Sequence, residues 1–142
     1  DTAMVHLIVG NKGKGKTKVL LDRVNEQIRS AKGDVVYIDQ SMRHMYELNN
    51  RIRLVDASRF PLTTGEQLIG FICGIISQNS DIEILYLDGL LKLDDVRAED
   101  VPDIIKKMDK ISSEFDIDMT LSISMDQSEL PDDLKGMVAV AL

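Results

Sequence analysis

"IVGNKGKGKT", residues 8–17, sets three glycines (Gly10, Gly13, Gly15) and three lysines (Lys12, Lys14, Lys16) directly behind an apolar run. That run, "MVHLIVG" (4–10), is short and closed by a glycine, the pattern of a buried strand. Behind the loop, "GKTKVLLDRVNEQIRSAKG" places Leu20, Val24 and Ile28 on one helical face, with Gly33 as a stop. Gly10, four residues, Gly15, Lys16 and Thr17 satisfy G-x-x-x-x-G-K-[ST] between a strand and a helix, the setting this motif needs. Glycines let the backbone curl so that successive N–H groups converge on an anion. The following helix turns its positive end to the same point. Residues Gly10, Asn11, Lys12, Gly13, Lys14, Gly15, Lys16 and Thr17 therefore read as a phosphate cradle. Lys16 is expected to bridge the β- and γ-phosphates, and the Thr17 hydroxyl to hold Mg²⁺. Lys12 and Lys14 are extra, and a solvated loop lysine is the plainer reading of both.

Strands and helices alternate along the rest of the chain, with no linker or repeat. "DVVYID" (34–39) is strand-like, "SMRHMYELNN" (41–50) reads as a short helix, and "RIRLVDA" (51–57) as a short strand. "TTGEQLIGFICGIISQ" (63–78) opens on two overlapping capping boxes, Thr63 with Glu66 and Thr64 with Gln67. The helix behind them is apolar on several faces and is expected to be well buried, Gly70 and Gly74 bringing it close to the sheet around an unreactive Cys73. "IEILYLDGL" (82–90) is the most apolar strand. "AEDVPDIIKKMDKISSEF" (98–115) carries Ile104, Met108, Ile111 and Phe115 at helical spacing, "IDMTLSISM" (117–125) alternates strictly, "PDDLKG" (131–136) is a turn, and "MVAVAL" (137–142) is a last strand. Strands joined through helices mean crossovers and a mainly parallel sheet. The expected fold is a three-layer α/β/α sandwich, one domain over 1–142, with ligands at the carboxyl ends of the strands.

Composition bounds the function. With 142 residues the chain can bury one sizeable core, and a net charge of −7 argues against a nonspecific nucleic-acid surface. One cysteine and two histidines, His6 and His44, leave no zinc site and no internal disulfide. No apolar run approaches the roughly 18 residues of a membrane span. A basic start followed by an apolar stretch is missing, so a cytoplasmic location is expected. Residues 1–3 read as a foreign leader before a natural start at Met4. His6 reads as a packed strand residue, His44 as a helix-surface residue, and Met42 and Met45 as packing residues. Tyr37, Tyr46 and Tyr86 read as too scattered for a base-stacking platform.

"ILYLD" (84–88) ends an apolar strand on an acid. Asp88 there can hold a water of the Mg²⁺ shell close to Thr17, so Thr17 and Asp88 form the candidate metal pair. The chain at this point resembles the RecA-like P-loop ATPases, with four segments in the family's order: 10–17, "YIDQSMRHM" (37–45), "TTGEQLIGFICGIISQ" (63–78) and "IEILYLDGLLKL" (82–93). "MTLSISMDQ" (119–127) then corresponds to the sensor strand, with Gln127 near the sensing glutamine. The resemblance covers about residues 4–127. It implies ATP and Mg²⁺ as ligands and a strand order of 51–55, 34–39, 83–88, 118–124, 4–9, 137–142. One feature resists that order. A central strand is usually apolar on both faces, whereas 117–125 puts Asp118, Thr120, Ser122 and Ser124 on one face.

The departures concern catalysis. The family's catalytic glutamate falls at Ser41, and the glutamate that follows the metal-side Asp in many ATPases falls at Gly89. Serine is no general base for water. Asp39 and Glu66 remain the candidate carboxylates, each with an ordinary alternative as a strand-end and a helix-capping acid. Arginines 43, 51, 53, 59 and 97 are available to complete a neighbour's site, and none is singled out. The chain stops at what would be the sixth core strand, and "DQSELPDDLKG" (126–136) is short and acidic, so a nucleic-acid partner is not expected. Three functions stay open: a slow or partner-activated ATPase; a non-hydrolysing nucleotide switch or assembly module, as a homo-oligomer or with a protein partner; and a small phosphotransferase whose lid would be 89–100.

Overall fold

The computed structural model describes residues 4–142; the expected leader, 1–3, lies outside the described residues. Six strands form one sheet: β1 (Val5–Val9), β2 (Asp34–Asp39), β3 (Arg53–Asp56), β4 (Ile82–Leu87), β5 (Asp118–Ile123) and β6 (Val138–Ala141). Their order is β3-β2-β4-β5-β1-β6, and every pairing is parallel. This is the order that the resemblance implies. The kinase-like alternative, with β4 directly beside β1, is not what forms.

Side-chain alternation divides the core in two. Val5, Leu7, Val9, Val36, Ile38, Leu87, Met119 and Leu121 face α2 (Gly65–Ser77) and α3 (Val101–Phe115), meeting Leu68, Ile72, Ile105 and Met108. Ile8, Val35, Tyr37, Ile84 and Tyr86 face α1 (Lys16–Gln27), meeting Leu20, Leu21, Val24 and Ile28. Helices on both faces of a parallel sheet give the three-layer sandwich. A four-residue helix, α4 (Asp132–Lys135), stands where a turn was expected before β6.

The polar face of β5 lies on the α1 side, and it is buried: Thr120 is 1% exposed and Ser122 0%. Ser122 is fully hydrogen-bonded there, as described below. Asp118, at the strand's start, accepts from the Met4 N–H (3.3 Å) and pairs with His6 Nε2 (3.1 Å). Of the two hydroxyls of β5, Ser122 is paired, which makes its burial in a central strand possible, while Thr120 Oγ1 is buried with no hydrogen-bond partner among the described residues.

Of the two capping boxes, Thr64 with Gln67 is used. Thr64 Oγ1 accepts from Gln67 N (3.1 Å), and Gln67 Oε1 accepts from both Thr64 N (3.2 Å) and Thr63 N (2.7 Å). Several local expectations are corrected. Only Leu68, Ile72 and Ile76 of α2 are buried, since one stripe suffices to meet the sheet and α3. Cys73 is exposed, and a Cβ built at Gly70 or Gly74 meets nothing within 4 Å among the described residues, so neither glycine marks a close approach. Residues 41–50 form only a one-turn 3₁₀ helix, Met45–Glu47. Asn25 of α1 fixes this segment, donating to Glu47 O (2.7 Å) and accepting from Asn49 N (2.9 Å). Met42 and Met45 are exposed rather than packed, and so is Phe115 at the end of α3. His44 lies in the turn before Met45, its Nδ1 against Glu47 Oε2. Tyr37 and Tyr86 are not scattered: they are register partners on β2 and β4, buried under α1 and stacked with ring centroids 5.9 Å apart.

Because Cys73 sits on the outer face of α2, it is expected to react with an aromatic disulfide reagent in the native protein as completely as in urea. Cys73→Ala is expected to shift stability by less than about 0.5 kcal/mol, as an exposed substitution does; a denaturation midpoint measures it.

Candidate functional site

The loop between β1 and α1 is shaped by its glycines. Gly13 and Gly15 have φ of 88° and 92°, a left-handed conformation that side-chain-bearing residues rarely adopt. Gly10 answers a different need. Leu142 N donates to Val9 O (2.8 Å), and a Cβ at Gly10 would sit 3.0 Å from Leu142 Cβ. Gly15 is the N-cap of α1, no residue of the first turn is acidic, and Asn11 to Gly15 are all exposed. The helix start is therefore open to an anion, with nothing of its own sign against one.

Lys16 is buried, and its Nζ donates to Gly10 O (2.7 Å) and Asn11 O (3.3 Å). Burial pulls its pKa below the ordinary lysine value; Asp88 opposes that shift and Lys92 adds to it. Thr17 Oγ1 donates to Asp88 Oδ2 at 2.9 Å. The metal pair read from the sequence is thus in direct contact across the α1–β4 junction. Parallel pairing brings the strand ends to one edge: β1, which leads to Thr17, pairs with β5, β5 pairs with β4, and β4 pairs in turn with β2, where Ile38 lies opposite Leu87 and Asp88 N donates to Ile38 O (2.9 Å). The same pairing brings Asp39 to the adjacent strand end.

Asp88 is 2% exposed and held from several elements. Ser122 Oγ of β5 donates to its Oδ1 (2.9 Å) and accepts from Gly89 N (2.7 Å). Tyr37 OH of β2 donates to its Oδ2 (3.3 Å). Burial, with the Asp88 and Asp39 charges behind it, raises the Tyr37 pKa far above the ordinary phenol value, so Tyr37 stays a donor. Lys92 Nζ, from a 3₁₀ turn after β4, lies 3.6 Å from Asp88 Oδ1 and 3.9 Å from Asp39 Oδ1. Asp39 is 2% exposed. Its Oδ1 accepts from Gln40 N (2.7 Å), while its Oδ2 has no hydrogen-bond partner among the described residues. Burial raises its pKa and the Asp88 charge raises it further; Gln40 N–H, Lys92 and His44 pull the other way.

The other two candidates are placed differently. Glu66 is exposed at the start of α2, on the opposite face of the sheet from α1. It lines a cavity of about 360 Å³ with Asp95, Glu99, Asp100, Asp103 and Lys107, and none of Lys16, Thr17 or Asp88 borders that cavity. Gln127 is exposed in a one-turn helix beyond β5. Sequence reasoning missed Ser122, Tyr37 and Lys92. The strand alternation flagged Ser122, but as an obstacle to the fold. The 89–100 connection is tied down by buried Leu90, Leu93 and Val96.

The residues fit a metal-bound polyphosphate. Mg²⁺ takes one or two protein oxygens and completes its shell with water and phosphate, and a hydroxyl beside a carboxylate supplies that pair. Among the described residues no group of three His, Cys, Asp or Glu forms a metal cluster of its own.

No family model and no curated relative matches the sequence. Solved structures do match. A KaiC-like protein from the hyperthermophilic archaeon Pyrococcus horikoshii OT3 aligns with a TM-score of 0.59 at 15% identity, covering 85% of this chain and 62% of that one. The chain therefore spans under two thirds of that protein's length. At this identity the likeness establishes a RecA-like α/β fold. Among the described residues no helix is long and apolar enough to cross a membrane.

Two outcomes follow from the carboxylates. Ser122→Ala leaves the Gly89 N–H and one Asp88 lone pair without partners and is expected to cost about 2 kcal/mol in urea unfolding. Asp39 binds its proton more tightly folded than unfolded, so the folded state holds more protons from the ordinary aspartate range, about 3.9, up to the raised native value. Stability is expected to fall as pH rises through that window and to level off above it. Asp39→Asn should match the wild type at the acid end of the window and exceed it above, as read from urea midpoints against pH.

Proposed function

We propose that this chain is a cytoplasmic ATP-binding protein and a slow or partner-activated Mg²⁺-dependent ATPase. The observation that carries the reading is the Thr17–Asp88 contact at the mouth of a glycine-shaped loop, with Lys16 beside it. The RecA-like fold supports it as well.

In this reading the loop N–H groups and the start of α1 bind the phosphates, Lys16 sits at the β- and γ-phosphates, and Thr17 with Asp88 holds Mg²⁺. The metal supplies charge neutralisation along the phosphates. Asp39 is the carboxylate assigned to the attacking water: its buried Oδ2 has no hydrogen-bond partner among the described residues, it lies on the strand next to Asp88, and its raised pKa suits a proton acceptor. The water oxygen bonds to the γ-phosphorus, the bond to the bridging oxygen breaks, and ADP leaves with the electron pair. The water proton passes to Asp39 and on to solvent. Asp39 carries this role better than Glu66, which faces the α2–α3 cavity. Gln127, in the exposed turn beyond β5, takes the sensor role that the resemblance implies.

A second reading, a non-hydrolysing switch or assembly module, is favoured by Ser41 where the resembling family carries its catalytic glutamate and by Gly89 where many ATPases of the broader class carry one. A phosphotransferase is the weakest of the three, because the packed 89–100 segment gives it no lid.

Calorimetric titration of ATP with Mg²⁺, and phosphate release from the same samples, test the proposal. Wild type is expected to bind and to turn over slowly. Lys16→Ala should lose at least about 100-fold in affinity and all measurable turnover, and Asp39→Asn should keep binding while losing turnover. Binding without turnover in the wild type establishes the switch instead, and no binding in either buffer condition, with or without Mg²⁺, sinks both nucleotide readings.

A further inference from the structure

The 3₁₀ turn Leu90–Lys92 returns a lysine to the residue that ends β4. Three observations concern where that ammonium sits. It lies 3.6 Å from Asp88 Oδ1 and 3.9 Å from Asp39 Oδ1, between the two buried carboxylates at the strand ends. The Asp88 carboxylate it approaches also accepts from Thr17 Oγ1 at 2.9 Å, the residue next to Lys16, so the ammonium and the end of the glycine loop meet at one carboxylate. Its stem runs over Gly89, where a Cβ would fall 2.2 Å from Lys92 Cδ, 2.6 Å from Cε and 2.6 Å from Cγ.

Gly89 therefore does more than leave out a glutamate. Its φ of 95° turns the chain back after β4, and its bare Cα gives the lysine stem its path to Asp88. The side chain is 41% exposed, so part of it remains open to solvent. A flexible ammonium can be shared between carboxylates and an incoming anion, because it is a compact charge with three donors.

We propose that Lys92 is a catalytic cation acting within its own chain: it contacts the transferring γ-phosphoryl group and stabilises the charge that builds there in the transition state. The proposal rests on the ATPase reading above and deepens it. Phosphoryl transfer is accelerated chiefly by positioned cations, and a single cationic side chain aimed at the equatorial oxygens contributes strongly whether it comes from the same chain or another. None of the five arginines reviewed in the sequence forms an ion pair with Asp39 or Asp88; Lys92 does with both.

The test compares wild type with Lys92→Met, Lys92→Arg and Gly89→Ala. Three quantities are measured: the dissociation constant of Mg·ATP, that of ADP with Mg²⁺ and aluminium fluoride as a transition-state mimic, and phosphate release. Lys92→Met is expected to keep ATP affinity within about threefold, to bind the mimic roughly 100-fold more weakly, and to lose turnover in step with the mimic. Lys92→Arg should recover part of both losses. Gly89→Ala keeps the lysine but displaces its stem and strains the positive-φ turn that returns it, and should weaken mimic binding in the same direction. Native circular dichroism of each variant confirms that it is folded, and Lys92→Arg carries the comparison if Lys92→Met does not fold. Equal mimic affinity in wild type and Lys92→Met overturns the assignment while nucleotide binding stands. Parallel loss of ATP and mimic affinity also overturns it, since that is uniform binding. A wild type that binds ATP but neither hydrolyses it nor takes up the mimic overturns it in favour of the switch, and a wild type that binds no nucleotide removes the reading on which it rests.

Discussion

The Asp88 carboxylate is where the layers of this protein are joined. It ends β4, accepts from Ser122 on β5, from Thr17 at the start of α1 and from Tyr37 on β2, and lies within ion-pair distance of Lys92. A carboxylate this buried is expensive to hold charged, by several kcal/mol, unless donors replace its water. Here three hydroxyls and an ammonium do so, each from a different segment. The interaction therefore works in two directions. It stabilises the charge, and it ties the first turn of α1 to three neighbouring strands, which fixes the helix end that the glycine loop leads into.

The polar layer under α1 follows from this. Tyr37, Asp39, Tyr86, Asp88, Thr120 and Ser122 all lie on the sheet face that α1 covers, and the apolar residues meeting α1 are fewer than those meeting α2 and α3. A purely apolar face would pack α1 better but would take from Asp88 the Tyr37 and Ser122 donors. Tyr37 and Tyr86 reconcile the two demands. Their stacked rings serve the core, while their hydroxyls reach Asp88 and Gln27.

This explains what could be read from the sequence and what could not. The loop at 10–17 is legible because all its geometry is local: glycines, lysine and threonine at fixed offsets behind a strand. The sheet order is legible because the segments keep the order of a known fold family. The serines of 117–125 were legible as an alternation but misread in meaning, since a hydroxyl face looks like an exposed one until its partner is known. Lys92 left no signal beyond its spacing from Asp88, because its return depends on a positive φ at Gly89. The 41–50 segment reads as a helix from sequence because the residue that ties down its turn, Asn25, is 22 and 24 residues away from the groups it bonds.

Asp39 and Glu66 show the same limit in the candidate site. Both are acids near the ends of regular elements, and the sequence ranks them equally. Parallel pairing separates them. Residues that follow register partners on adjacent strands emerge side by side, so Asp39 must appear next to Asp88 once Ile38 lies opposite Leu87. Glu66 follows Thr64 and Gly65 into a helix on the other face of the sheet, and no local adjustment brings it through the sheet to Thr17. The result is a site with two buried carboxylates and two nearby ammoniums, Lys16 and Lys92. Lys16 is held by neutral carbonyls of its own loop, and Lys92 is divided between two carboxylates at more than hydrogen-bond length. Neither cation is locked in a short bidentate pair, so a phosphate group offering several charged oxygens has an electrostatic advantage over the partners each lysine now holds.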